Sequence, residues 1–338
     1  MEKINKFKTK FWEMVEGAEK IVITGHVGPD DDSVASMLAV YWLISEKHPT
    51  KKARMICLGD PTDEWKYFKG FEKIEFVDEI VGSMDLLVML DGGGFDRFSK
   101  EPNELKKQAS KTICIDHHVG KPDDFDLSLI DPRASSCIEI IYQLFQENQV
   151  LSKELAEIYL LGILGDTGNF TYLKPYQTET LVIAKKIIEV GNIEIQEFLS
   201  KYRSISTRVF AIFQEYIKNT EYHEASGWPN FQISFITRQF KDSDEYIDIE
   251  VGDAKNIYMT HYLRTIKDHP WGFVVTPKDK GDCGISFRSL PNVVNVRKLA
   301  EKFNGGGHDL ASGGEIKVKD PKEALEIIYS FLGSSSAF

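Results

Sequence analysis

Hydrophobic positions along the chain follow two rhythms. Short, mainly apolar stretches at 20–24, 54–58, 74–77 and 85–91, and the run ending in Cys114-Ile115, have the length of strands. Between them lie helix-spaced segments: Ile4, Phe7, Phe11, Met14 and Val15 on one face, then about 34–45, 137–147 and 155–164. The continuous run before Asp91 is that of a strand buried on both faces. Strand, polar loop and helix in repeated order predict βα units of a parallel sheet. Helices over about 178–216 leave that pattern and act as a connector, and the turn formers at 224–230 mark a boundary. Beyond it the rhythm changes to strands at 231–236, 271–276, 283–287 and 315–318, a hairpin turn at 278–282, a helix at 296–303 and a closing helix. The expected fold class is α/β, a parallel-sheet N-terminal domain (1–195) joined by connector helices (196–223) to a smaller α+β domain (224–338). No internal repeat is visible, and the only biased stretch is the serine-rich tail at 334–336.

Composition narrows the function. A chain of 338 residues, 42% hydrophobic, suits two domains with cores of their own. A net charge of -11 argues against holding long nucleic acid on a broad basic surface, although bound cations would invert the local field for a small anion. Cys57, Cys114, Cys137 and Cys283 show no ligand spacing and read as buried thiols of a reducing compartment. No apolar run approaches membrane-spanning length and the N-terminus lacks a signal-peptide core, so a cytoplasmic protein with no membrane partner is expected.

The chemistry lies where the apolar runs stop, because the ends of strands in an open α/β sheet present ligand groups. The central case is Asp116-His117-His118; two adjacent imidazoles alone are more often a polar loop than a ligand pair. Matching groups follow other elements. In the loop from His26 to Asp32, glycine and proline bend the backbone so that His26, Asp30 and Asp32 converge, with Asp30 and Asp32 at alternate positions. An acidic helix start would explain Asp32 and Ser33 but not His26. Asp91 precedes three glycines that let another group approach the backbone, with Arg97 on the same loop; a capped tight turn is the bland reading. Ser135 and Ser136 are explained as N-caps. Asp166, in Gly165-Asp166-Thr167-Gly168, is the fourth acid, expected where an apolar element breaks into a turn. Imidazole among hard carboxylates suits Mn²⁺, with Mg²⁺ or Co²⁺ as competitors. In the second domain Ser286 and Arg288 share a strand face, and arginine has the fork suited to phosphate oxygens. Gly305, Gly306 and Gly307 can expose successive N–H groups to an anion beside His308.

In this order the five motifs, over nearly the whole chain, resemble the DHH phosphoesterase superfamily, and the C-terminal part resembles its DHH-associated domain. Length and the Gly-Gly-Gly-His ending are most similar to the nano-RNase/pAp phosphatase group, which trims very short oligoribonucleotides and dephosphorylates 3′-phosphoadenosine 5′-phosphate. The resemblance implies that His26 and Asp30 hold one metal, that Asp32, His117 and Asp166 hold a second, and that Asp91 bridges them. It implies also that Asp116 orients an imidazole, that His118 contacts the scissile phosphate, and that Arg288 and His308 reach a phosphate from the second domain. Two Mn²⁺ ions would then activate a water for in-line attack on phosphorus. Two departures stand out: Asp31 occupies a usual glycine position, expected to add charge beside the metals, and Gly92-Gly93-Gly94 replaces a more polar turn. Relatives that hydrolyse cyclic or linear dinucleotides (c-di-AMP, pApA) make that the alternative activity. A pyrophosphatase or exopolyphosphatase and a non-catalytic nucleotide sensor stay open behind it, and Phe170, Tyr172 and Phe287 are the candidates for stacking a base. Short oligonucleotides or small nucleotides are the expected partners, long nucleic acid is not, and a homodimer is left open.

Overall fold

Each apolar run of the first half becomes a strand of one parallel sheet. The structure is a computed structural model that describes residues 2–119, 122–145, 151–202, 204–278 and 281–337. The chain divides into two units, Met1–Ser204 and Ile205–Phe338.

The first unit runs α1 (Glu2–Gly17), β1 (Lys20–Thr24), α2 (Asp31–Lys47), β2 (Lys52–Leu58), β3 (Ile74–Val77), β4 (Met84–Leu90), α3 (Pro102–Gln108), β5 (Ala109–Asp116), β6 (Leu127–Ile130), α4 (Cys137–Phe145), α5 (Lys153–Thr167), α6 (Glu179–Gly191) and α7 (Ile195–Tyr202). Its strands lie in the order β3-β2-β1-β4-β5-β6, with every neighbouring pair parallel. The chain thus starts at the middle, works outward to β3 and returns to the other side of β1. Where the winding reverses, between β1 and β4, the carboxyl ends of the strands open a crevice for a ligand. Register then sets the rim: Thr24 stands opposite Met89, and Met89 opposite Cys114. Two residues beyond that row come His26, Asp91 and Asp116.

One sheet face is covered by α1, α2 and α4 through α7 in a single apolar cluster that includes Phe11, Leu38, Ile115, Ile141 and Leu160. The other face carries Val22, Leu87, Met89 and Cys114 under Phe95, Phe98, Leu105 and Phe125. Helix α2 is buried almost all round, from Asp32 to Val40, because α5 lies against the side that the sheet does not cover. At about 1.5–3 kcal/mol for each large apolar side chain fully removed from water, this sandwich holds the start of α2 firmly in place.

The second unit runs α8 (Thr207–Lys218), β7 (Glu221–Ala225), β8 (Trp228–Phe235), α9 (Arg238–Ser243), α10 (Asp248–His261), β9 (Trp271–Pro277), β10 (Cys283–Ser289), α11 (Val296–Glu301), β11 (Gly306–Gly307), β12 (Ala311–Ile316) and α12 (Pro321–Ser334). Its sheet has the order β11-β12-β10-β9-β8-β7, antiparallel except between β8 and β9. Phe231, Trp271, Phe273 and Phe287 pack with α11 and α12 on one face. Tyr216 of α8 and Tyr258 of α10 pack on the other, around Val274.

The structure moves several expected boundaries. Helix α2 starts three residues before 34, and α5 runs to Thr167. The turn formers at 224–230 close the β7–β8 hairpin, with Gly227 at φ 82°, and are not a boundary. Of the connector helices, α6 and α7 belong to the first unit and α8 to the second. The strand expected at 315–318 lies at Ala311–Ile316, its two glycines having masked it. Strands β6, β7 and β11 and helices α3, α9 and α10 were not foreseen. Residues 146–147 of the expected helix and 279–280 of the expected turn lie outside the described residues. All four cysteines are buried and free. Among the described residues no helix is long and apolar enough to cross a membrane.

Candidate metal centre

Local backbone chemistry places the first three groups. Asp30 is the N-cap of α2, accepting from the Ser33 N–H at 3.0 Å, and Asp32 lies in the first turn. The loop before it is tied down by Val27 N–H to the Arg97 carbonyl and Gly28 N–H to the Leu58 carbonyl, both 2.8 Å. His26 Nδ1 meets the Val27 carbonyl at 3.1 Å, which turns Nε2 toward Asp30 Oδ2 at 3.4 Å and Asp91 Oδ2 at 3.6 Å. Asp32, fully buried, accepts from Cys137 N–H at 2.6 Å and Ile138 N–H at 2.9 Å. It satisfies orphan donors at the start of α4 and so locks that helix to α2. Ser136 also caps α4, accepting from the Glu139 N–H at 3.3 Å, as expected for that serine.

Asp91 ends β4 in the left-handed region at φ 64°, a conformation that is sparsely populated outside glycine and tends to be retained where function requires it. Gly92 after it leaves room for the Phe98 ring, 2.4 Å from where a Cβ would sit. The expected approach of another group to this backbone is thus made by the protein's own core. From β5, His117 Nε2 lies 2.9 Å from Asp166 Oδ2, 3.4 Å from Asp91 Oδ1 and 4.0 Å from Asp32 Oδ2. His118 Nδ1 lies 2.9 Å from Asp116 Oδ1 and 3.4 Å from Asp91 Oδ1, so Asp116 is placed to orient His118.

Asp166 does not sit at a strand end or in a turn: it lies in the last turn of α5. Two glycines one helical turn apart bring it in. A Cβ on Gly162 would lie 2.7 Å from Ile138 Cγ2 and 2.9 Å from Asp32 Oδ1, and one on Gly165 would lie 2.5 Å from the Asp31 Cβ. Without side chains there, the end of α5 settles onto the starts of α2 and α4, and Asp166 reaches His117.

Three overlapping groups result, each with ligand atoms within 4.8 Å of one another: His26, Asp30 and Asp91; Asp32, His117 and Asp166; and Asp91, His117 and His118. Asp91 belongs to two of them. Both of its oxygens, with Asp116 Oδ2 and His117 Nε2, are buried without a well-formed hydrogen bond. Burial, with the charges of Asp30 and Asp166, raises the Asp91 carboxyl to about 6. Burial and the Asp91 and Asp166 charges also hold Asp32 well above the usual carboxylate range. Burial alone would lower both imidazoles, but Asp30 outweighs it at His26, raised to about 9, and Asp166 with Asp91 outweigh it at His117, raised to about 12. Acids that resist ionising beside bases that resist losing a proton describe a pocket short of positive charge. Divalent cations with oxygen and imidazole ligands fit these orphaned atoms.

Asp31 stands apart from these groups. Its carboxylate accepts from Trp65 Nε1 at 2.7 Å and from the Tyr202 hydroxyl, and it belongs to none of the three groups. It ties the start of α2 to the end of α7 instead of adding a ligand.

In the second unit, Ser286 and Arg288 alternate with the buried Phe287 on β10, as the pattern predicted. Phe287 is core and has no face for a base, whereas Phe170 is half-buried against the first core and Tyr172 is exposed. The glycine run is not a free row of donors. Gly305 N–H bonds the Ala300 carbonyl, His308 N–H bonds that of Ala311, and Gly306 and Gly307 pair with β12. Gly305 is required because Gly313 O lies 1.9 Å from where its Cβ would be. A pocket of about 430 Å³ is lined by Ser286 and Gly305 together with Lys255, Lys278 and Asn304. Sequence reading missed these last three, since an isolated lysine on a helix or beside a turn carries no pattern.

Comparison with known proteins follows the same two units. Residues 20–163 match the family described as DHH family, N-terminal domain, and residues 234–334 match the DHHA1 domain. The bifunctional oligoribonuclease and PAP phosphatase NrnA of Bacillus subtilis is 28% identical over 324 residues, 94% of this chain and 96% of its own. The cyclic-di-AMP phosphodiesterase PdeA of Listeria monocytogenes is 25% identical over 91% of this chain and 46% of its own length. Among solved structures, an exopolyphosphatase-related protein from Bacteroides fragilis superposes with a TM-score of 0.83 at 23% identity, covering 98% of this chain and 96% of that one. That likeness speaks to the fold.

Proposed function

The chain belongs to the DHH family, a DHH domain followed by a DHHA1 domain, and from that premise we propose that it is a metal-dependent phosphoesterase of short nucleotides. Its substrates are oligoribonucleotides of about two to five residues, shortened one nucleotide at a time, and 3′-phosphoadenosine 5′-phosphate. The observation that carries the reading is the convergence of Asp30, Asp32, Asp91, Asp166, His26 and His117 at the switch point of the sheet, with buried ligand atoms left orphaned. Likeness to the Bacillus subtilis protein over nearly the whole of both chains supports the substrate class.

In this reading His26 and Asp30 hold one cation, Asp32, His117 and Asp166 hold a second, and Asp91 serves both. Mn²⁺ suits the mixed imidazole and carboxylate set, with Mg²⁺ or Co²⁺ as competitors. Bound there, such a pair supplies Lewis-acid activation of water and neutralises charge on the phosphoryl oxygens. The chain's residues do the rest. His118, oriented by Asp116, donates to a phosphoryl oxygen as charge develops on it. Ser286, Arg288 and His308, on the loop of Gly305, Gly306 and Gly307, hold a substrate phosphate. The net charge of -11 gives a long strand no electrostatic track.

The test is a product-resolved assay of 3′-phosphoadenosine 5′-phosphate, dinucleotides, cyclic dinucleotides, pyrophosphate and end-labelled RNAs of increasing length, with Mn²⁺ and with chelator. Metal-dependent release of mononucleotides, with kcat/KM falling as RNA lengthens, is expected. Rates flat or rising to about twenty nucleotides refute the length preference and argue for an open channel. The likeness to the Listeria phosphodiesterase makes cyclic dinucleotides the second reading, and faster turnover of these than of linear dinucleotides decides for it.

A further inference from the structure

Asp31 lies between two acids assigned as ligands, Asp30 and Asp32, yet takes no part in the three groups. Its Oδ1 accepts from Trp65 Nε1 at 2.7 Å and its Oδ2 from the Tyr202 hydroxyl. Both donors are held by packing. Trp65 is buried, and the Tyr202 ring lies 5.7 Å from that of Phe198 and 6.4 Å from that of Phe68. The stem of Asp31 is fixed as well, because its Cβ lies 2.5 Å from where a Cβ on Gly165 would sit, one residue before Asp166. The carboxylate is thus pinned against the start of α2 and the end of α5, the helices that carry Asp32 and Asp166, and is not free to swing round and ligate.

The charge of Asp31 is left over. Trp65 and Tyr202 are neutral donors, which satisfy its oxygens without cancelling the charge, and among the described residues no lysine, arginine or histidine pairs with it. Its charged neighbours include Asp30 and Glu64, both acids. Coulomb attraction falls only as the inverse of distance, so an anion acts on a cation that it does not touch. Packing against Trp65, Tyr202 and Gly165 limits screening by water. We propose that Asp31 is a non-ligating anion of the metal centre, raising its affinity for divalent cations by charge alone, while Trp65 and Tyr202 keep it out of the coordination shell. The inference rests on the metal-dependent reading of the site and deepens it. Asp30, Asp32, Asp91 and Asp166, the carboxylates assigned as ligands, match the charge of two divalent cations, and Asp31 adds a further negative charge beside them. Groups just outside a ligand set typically change metal affinity by about 10–100-fold.

The experiment titrates Mn²⁺ calorimetrically into the full chain at pH 8 for the wild type, Asp31→Asn and Tyr202→Phe, and unfolds the same proteins in urea with chelator. Asp31→Asn keeps the shape and removes the charge. Mn²⁺ should bind to it at least about tenfold more weakly, at unchanged stoichiometry. The metal-free variant should be at least as stable as the wild type, because a charge without a counter-ion has gone. Tyr202→Phe removes one hydrogen bond and keeps the charge, so its Mn²⁺ affinity should stay within about threefold of the wild type. Equal affinity in Asp31→Asn overturns the proposal. A tenfold loss in Tyr202→Phe also overturns it, since hydrogen-bonded geometry would then be the cause. So does weaker binding by Asp31→Asn together with lower metal-free stability, because a damaged fold lowers both. Hydrolysis of a dinucleotide by the wild type separates this inference from the phosphoesterase reading. The tenfold difference without any turnover supports the role of Asp31 and defeats that reading alone, whereas no Mn²⁺ binding by the wild type defeats both.

Discussion

Asp91→Asn should make the metal-free protein more stable and the metal-loaded protein inert. Asp91 is almost fully buried, and its carboxyl moves from an ordinary 3.8 to about 6 on folding, chiefly through burial and then the charge of Asp30. An acid whose folded pKa is raised imposes no penalty below its unfolded pKa. The penalty grows between 3.8 and about 6 and is complete above, where the folded state must carry the charge. That interval corresponds to about 3 kcal/mol. The asparagine isostere removes the charge, while His26 and His117 keep their stronger partners, Asp30 and Asp166. A gain of about 1–3 kcal/mol is therefore expected at pH 8 in chelator, vanishing near pH 4. Mn²⁺ at a hundredfold excess over its Kd should stabilise the wild type by about 2.7 kcal/mol and the variant by much less. Urea unfolding with and without chelator, beside hydrolysis of a dinucleotide, measures both. A metal-free variant less stable than the wild type, or one that keeps near-normal turnover, refutes the reasoning.

Gly162→Ala should cost about 1–3 kcal/mol through overpacking against Ile138 and should weaken metal binding, because the new methyl also meets Asp32; thermal unfolding and metal titration report the two effects. Asp31→Gly should keep hydrolysis within about an order of magnitude and leave metal stoichiometry intact, as expected of a side chain bonded to Trp65 and Tyr202; loss of metal would place it among the ligands. Arg288→Ala and His308→Ala should leave metal content unchanged yet sharply lower kcat/KM for short nucleotides, and metal loss in either variant contradicts its assigned role.

The sequence by itself determined every strand of the first unit except β6, because apolar runs of strand length have few other uses. It also exposed the groups at their ends, since a carboxylate or imidazole that stops such a run stands out by chemistry alone. His26, Asp30, Asp32, Asp91, Asp116, His117 and His118 were legible for that reason, Asp166 because it follows an apolar helical run, and a shared strand register brings three of them to one rim. Only the tertiary structure decided how the others arrive. Asp32 is fastened by backbone donors more than a hundred positions away, and Asp166 comes on the end of a helix that two glycines let down onto its neighbours. Asp31, adjacent in sequence to two candidate ligands, turns away because Trp65 and Tyr202 offer it hydrogen bonds. Lys255 carried no pattern at all; only the folded packing places it in the pocket lining of the second unit. Periodicity and residue type are local and can be read along a chain. Close approach and charge balance depend on distances between residues remote in sequence, which only the folded packing sets.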